Sequence, residues 1–207
     1  MIFEILTVGP LAVNCFILGD PSTGDGVVVD PGDEAERILA AVQRLGLTIR
    51  DVINTHGHFD HVGGNRQVIA ATGARLLIHR NDSPFLGRAV DTASIYGLST
   101  ENSPPPDEHL EDGRVIRVGG FPIQVLHTPG HTPGGCCLLL EGQGKIITGD
   151  TLFAEGVGRT DFPGSSHEDL IAGIRTKLMT LPDDTVVYPG HGPSTTIGHE
   201  KRYNPYI

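Results

Sequence analysis

The sequence predicts an α/β chain in which two β-sheets lie face to face with helices on both outer sides. Three observations predict it. Short apolar runs alternate with longer segments whose apolar residues recur at helical spacing. Gly and Pro stop most of the apolar runs sharply. The two halves repeat one order, a β-meander followed by strands and helices, as if a unit had been duplicated. Two sheet layers covered by helices would bury all of these faces.

Taken in order, 2–8 and 14–18 read as strands joined at Gly9–Pro10. A buried strand at 26–30 ends at Pro31–Gly32. Asp33 reads as the N-cap of a helix from Glu34 to Leu45, with Ile38, Ala41, Val42 and Leu45 on one face and Gly46 as its stop. A strand at 51–55 runs into Thr55–His61, and a helix over 62–72 ends near Gly73. Another strand follows at 75–79. From 81 to 107 the pattern weakens around Pro84, Gly87, Gly97 and Pro104–Pro106. This reads as a short helix and a long surface excursion, of the kind that walls an active site. Strands are expected at 115–118, 121–126, 135–140, 145–149 and 185–188. A Gly-rich run spans 154–165, a helix 167–179, and a short tail ends the chain. The whole of 1–207 reads as one domain.

The formal net charge of −10 argues against nucleic acid as a partner, because phosphate binding needs clustered Lys and Arg. Cys15, Cys136 and Cys137 form no disulfide framework; the adjacent pair would point to opposite faces of a strand, and all three suit core positions. The N-terminus has no basic segment of the kind that opens a signal peptide, and no apolar run approaches the roughly 18 residues of a membrane span. A soluble, cytoplasmic protein working on a small molecule, away from membranes, is the expectation. Few aromatic residues and acidic charge give no push toward a large interface.

The stretch Thr55–His61, THGHFDH, puts His56, His58, Asp60 and His61 in one strand-to-helix loop. Three later strand ends finish on similar residues: His131 after Gly130, Asp150 after Gly149, and His191 after Gly190. A glycine before a ligand lets the backbone turn tightly and come close to a partner. One tetrahedral metal takes three or four protein ligands, so seven candidates suit two divalent ions, with Asp150 shared between them. Zinc is the first choice, and iron or manganese would also accept these donors. His79, His109, His127, His167 and His199 read instead as surface or helix-cap residues.

In these motifs the chain resembles the metallo-β-lactamase superfamily. THGHFDH matches that family's H-x-H-x-D-H pattern, and His131, Asp150 and His191 follow in order and context. The resemblance implies an αββα sandwich with two mixed sheets. It implies a first metal on His56, His58 and His131, a second on Asp60, His61 and His191, and Asp150 bridging. Asp30 matches an aspartate that orients the ligands from beneath. TPGHTPGG, GDTLF, VGRTDFPGS and PGHGPSTTIGHEKRYNPYI make the chain most similar to small bacterial glyoxalase II-like proteins. That implies hydrolysis of S-2-hydroxyacylglutathione-type thioesters by a hydroxide shared between two metals. Asp150 would bridge the metals, and Asp60 would aim the nucleophile.

Two departures bear on the substrate. The chain ends 16 residues after His191, so the helical C-terminal domain of full-length glyoxalase II is expected to be missing. The Lys and Tyr that hold glutathione in that family are not at the matching loop; Arg159 stands there as a candidate carboxylate-binding cation. The rival reading is a persulfide dioxygenase with one iron on His56, His131 and Asp150, which the GRTDF run also resembles.

Overall fold

Strict alternation along the central strands sets the layering. The computed structural model describes residues 1–207. The first half contains β1 (Ile2–Val8), β2 (Val13–Gly19), β3 (Asp25–Val29), α1 (Ala35–Leu45), β4 (Thr48–Ile53), α2 (Phe59–Val62), α3 (Asn65–Thr72), β5 (Arg75–His79), α4 (Ser83–Leu86), α5 (Ala89–Ile95) and β6 (Glu108–Leu110). The second contains β7 (Val115–Val118), β8 (Phe121–His127), β9 (Cys136–Leu140), β10 (Lys145–Gly149), β11 (Leu152–Phe153), β12 (Gly156–Val157), α6 (His167–Gly173), a π-helical turn Ile174–Leu178, β13 (Val186–Pro189), β14 (Thr195–Thr196) and α7 (Ile197–Tyr203). The first sheet has the order β1-β2-β3-β4-β5-β6, the second β14-β13-β10-β9-β8-β7. Both are mixed: β3 to β6 run parallel beside an antiparallel β1–β2–β3 meander, and β10 pairs β13 in parallel within an otherwise antiparallel sheet.

Three buried clusters occupy the three interfaces of a four-layer αββα sandwich. Cys15, Ile17, Val28, Val52 and Leu76 face the helices on one outer side. Their neighbours Phe16, Leu18, Val27, Val29, Ile53 and Leu77 face inward, against Ile123, Leu138 and Ile147 of the second sheet. Cys137 and Ile146 turn to the far side and meet Leu170, Ile174 and Leu178. Strands covered on both faces read as unbroken apolar runs, and these do. Cys136 and Cys137 fall in different clusters, as their adjacency requires.

Directional contacts between the sheets gather at the ends where strands run out into loops. Asn14 Nδ2 donates to the carbonyls of Pro189 and Gly192, both at 3.0 Å, and Asn14 N donates to Gly190 O at 2.7 Å. Cys136 N donates to Thr55 O at 2.8 Å.

The structure departs from the sequence reading in several places. Asp33 does not cap α1. The helix starts one residue later, from Glu34 in a left-handed conformation, while Asp33 Oδ1 accepts from Glu34 N. Gly46 does close the helix, at φ 66°. The helix expected over 62–72 is two helices broken at Gly63–Gly64. A side chain there would strike the Pro31–Gly32 turn: a Cβ on Gly64 would lie 2.7 Å from Pro31 O. Gly64→Ala is therefore expected to destabilise the fold by about 2 kcal/mol, lowering Tm by roughly 4–8 °C in a thermal melt. The excursion at 81–107 holds two short helices and leads into β6, an unexpected strand. The helix over 167–179 turns π-helical after Gly173, and the tail carries β14 and α7.

Candidate metal centre

Each sheet delivers part of one cluster. β4 ends at Ile53 and releases the loop carrying His56 and His58, and α2 turns Asp60 and His61 inward. From the second sheet, His131 follows β8, Asp150 follows β10 and His191 follows β13. The glycines before His131 and His191 stand where a side chain has no room. A Cβ on Gly190 would lie 2.7 Å from the His61 ring, and one on Gly130 would run into Leu170.

Two compact triads result. The ligand atoms of His56, His58 and His131 lie within 4.8 Å of one another, as do those of Asp60, His61 and His191. Asp150 stands between the triads. Its Oδ1 lies 3.4 Å from His61 Nε2, and its Oδ2 lies 3.5 Å from His131 Nε2 and 3.7 Å from His191 Nε2. All seven residues singled out from the sequence thus meet at one place.

Hydrogen bonds behind the rings choose the nitrogen that each presents. His131 Nδ1 donates to Arg159 O at 2.8 Å and His191 Nδ1 to Leu11 O at 2.9 Å. His61 Nδ1 donates to Asp30 Oδ2 at 3.0 Å. Thr55 Oγ1 donates to Asp30 Oδ2 at 2.6 Å and accepts from His56 Nδ1 at 3.1 Å. With Nδ1 protonated, each of these rings turns a bare Nε2 lone pair into the cluster. Asp30 is fully buried, and its Oδ1 also accepts from Thr55 N at 2.8 Å. Its backbone sits at φ 49°, a left-handed conformation that Asp tolerates better than most residues.

The cluster fits a cation. His56 Nε2 and Asp150 Oδ1 are buried atoms with no hydrogen-bond partner. A buried lone pair left unmatched costs about 1–3 kcal/mol. His131 Nε2 and His58 Nδ1 face each other at 2.9 Å and need a proton or a cation between them. Burial, then the neighbouring His131, pushes His58 down to about 4. Burial alone would raise Asp150, but the facing His61, His131 and His191 hold its carboxyl well below the usual range. Divalent ions suit an assembly of neutral imidazoles and ionised carboxylates.

One residue that organises this cluster has no sequence signal of its own. Asp82 precedes Ser83–Pro84 at the start of α4, where an Asp would ordinarily cap the helix, yet its side chain makes no cap. Instead the fully buried carboxylate accepts from Gly57 N at 2.9 Å, Thr132 Oγ1 at 2.7 Å and Gly134 N at 2.6 Å. It therefore ties the loop of His56 and His58 to the loop of His131. Asp82→Asn turns an amide toward these donors and is expected to cost about 2 kcal/mol in a urea titration. It should also weaken metal binding by the His56–His58–His131 group more than by the other.

A cavity of about 470 Å³ opens over the cluster. Phe85, Ala89 and Tyr96 from the 81–107 excursion line one side, and Phe162 and Pro163 the other. Arg159 lies at the mouth, exposed, paired with Asp161 at 2.7 and 2.6 Å, its guanidinium 4.1 Å from the Phe162 ring centre. His79 corrects the sequence reading: it is buried, stacked on His127 with ring centres 4.0 Å apart.

The profile of the metallo-beta-lactamase superfamily matches residues 8–191. The hydroxyacylglutathione hydrolase GloC of Haemophilus influenzae is 38% identical over 209 residues, covering 100% of this chain and 98% of that protein. Among solved structures, the BLEG-1 B3 metallo-beta-lactamase superposes with a TM-score of 0.92 at 33% identity, covering 99% of both chains. TTHA1623, solved in a di-iron-bound form, superposes with a TM-score of 0.90 at 39% identity, covering 99% of this chain and 100% of that one.

Proposed function

This chain belongs to the metallo-beta-lactamase superfamily, a fold that binds divalent metals, and from that premise we propose that it is a metal-dependent thioester hydrolase acting on S-2-hydroxyacylglutathione-type substrates. The observation that carries this reading is the pair of complete triads with Asp150 between them. The 38% identity to a hydroxyacylglutathione hydrolase supports the choice of substrate.

His56, His58 and His131 would hold one ion, Asp60, His61 and His191 the other, and Asp150 would face both. Two such ions, when bound, supply an activated water at neutral pH and polarise a carbonyl oxygen. The chain's own residues do the rest. The Asp60 carboxylate lines the cavity 3.3 Å from His191 and is placed to accept a hydrogen bond from the attacking water and aim it. Phe85, Tyr96 and Phe162 give the cavity apolar walls beside the cluster. A thiolate leaves readily, so no strong general acid is required. Arg159 would take a substrate carboxylate by exchange with that of Asp161. The pair is exposed and screened by water, so the exchange costs little.

The rival reading is a dioxygenase with one iron on His56, His131 and Asp150, and the same cluster holds every residue it needs. Metal analysis of protein purified without added metal, beside two assays, separates the readings. Two ions per chain with thiol release from S-lactoylglutathione is expected. One iron per chain with oxygen uptake on glutathione persulfide, and no thioester turnover, would sink the hydrolase reading.

A further inference from the structure

The walls of the cavity carry information about the substrate that the metal cluster does not. The excursion at 81–107 is a fixed wall. Leu86, Ala89 and Ala93 anchor its helices in the core. Ser103, beyond them, donates to Val62 O at 3.1 Å and accepts from Asn65 Nδ2 at 3.0 Å. Phe85 is pressed onto the ligand loop, so that a Cβ on Gly57 would lie 2.8 Å from Phe85 Cβ. Tyr96 stacks on Phe59 with ring centres 5.6 Å apart.

Phe162 stands on the other side. The His58 ring lies between, its centre 6.2 Å from that of Phe85 and 5.4 Å from that of Phe162. A carbonyl carbon held at the cluster therefore has an aromatic ring on either flank. Arg159 is the one lysine or arginine lining the cavity, and it already carries Asp161. The walls thus offer apolar surface and little free charge.

We propose that the acyl arm of the substrate is a bulky apolar group, ring-sized or branched, seated between Phe85, Tyr96 and Phe162. This rests on the thioester-hydrolase reading above. A lactoyl group has a single methyl to set against these rings and leaves them facing water. A phenyl-bearing acyl group covers them, and each Å² of apolar surface so buried is worth about 25 cal/mol. That energy favours the larger substrate wherever the rings are in place by the time the carbonyl is attacked.

The test compares kcat/KM for S-lactoylglutathione and S-mandeloylglutathione with metal-loaded protein. The thiol arm is common to both, so its contacts cancel, and dividing by each compound's alkaline hydrolysis rate removes intrinsic reactivity. The mandeloyl compound is expected to be favoured by about tenfold or more. Phe85→Ala and Phe162→Ala should each pull that ratio toward one, and Phe85→Leu should keep part of it. A ratio of one or below in the unaltered protein overturns the inference and leaves the hydrolase reading standing. A high ratio that neither alanine variant lowers overturns the proposed seat. Absence of thiol release from both compounds overturns the hydrolase reading and this inference with it.

Discussion

Asp150→Ala should lose most of its bound metal and at least about a thousandfold in hydrolytic rate, because this carboxylate lies between the triads, within 3.7 Å of His61, His131 and His191 nitrogens. The variant removes more than one donor. Asp150 and Asp60 face His61 and draw positive charge toward its ring against the pull of burial. Without Asp150, six residues remain that carry a single buried carboxylate, and two divalent charges in one pocket would repel each other with less between them. Folding should survive, since Asp150 lies at the mouth of the sheet and outside the three apolar clusters. Metal per chain measured on folded protein, with circular dichroism as the control, reads this directly. A variant that keeps two ions and full activity would remove Asp150 from between them.

Asp30→Asn is the second large effect, through a residue that touches no substrate. Asp30 Oδ2 accepts from both His61 Nδ1 and Thr55 Oγ1, and Thr55 Oγ1 in turn accepts from His56 Nδ1. One carboxylate oxygen thereby sets the tautomer of two rings, one in each triad. An amide in its place must give up either an acceptor at that oxygen or the bond from Thr55 N. Metal affinity is expected to fall by about 10- to 100-fold at both positions. Competition against a chromophoric chelator measures it. Loss confined to one ion would show that Thr55 does not relay the effect to His56.

The seven clustered residues were legible because their chemistry is local to strand ends. THGHFDH and the Gly-preceded His131, Asp150 and His191 carry their meaning in a few adjacent residues each. The layering was legible for a related reason: alternating faces such as Cys15–Phe16–Ile17–Leu18 leave no choice but cover on both sides. Asp82 was not legible, since its partners Gly57, Thr132 and Gly134 lie far away in sequence and its own neighbourhood spells an ordinary helix start. The break at Gly63–Gly64 was hidden likewise, because the clash that forbids a continuous helix comes from the Pro31–Gly32 turn. β6 is three residues long, too short for any periodicity, and exists through pairing with β5. Arg159 was found, and its pairing with Asp161 two residues on was also within reach of the sequence, because opposite charges so close along the chain need no distant partner.

Asn14 fastens β2 to the strand end that carries His191, yet it approaches the cluster with no ligand atom. Cys136 N to Thr55 O adds a second such tie, and aliphatic and aromatic side chains fill most of the surface between the sheets. The molecule is in this respect a book whose two covers are clasped beside the cluster by Asn14 and again at the far end, where Gly120 N donates to Asp20 Oδ2 at 2.8 Å. Whatever strengthens these ties holds the covers together, and two ions in the proposed triads would draw on residues from both. Occupancy and sheet alignment are then linked quantities, and each ion bound raises the folded state's stability in proportion to the logarithm of its concentration over its dissociation constant. A lesion as remote from chemistry as Asn14→Ala should accordingly surface first as a weaker grip on metal.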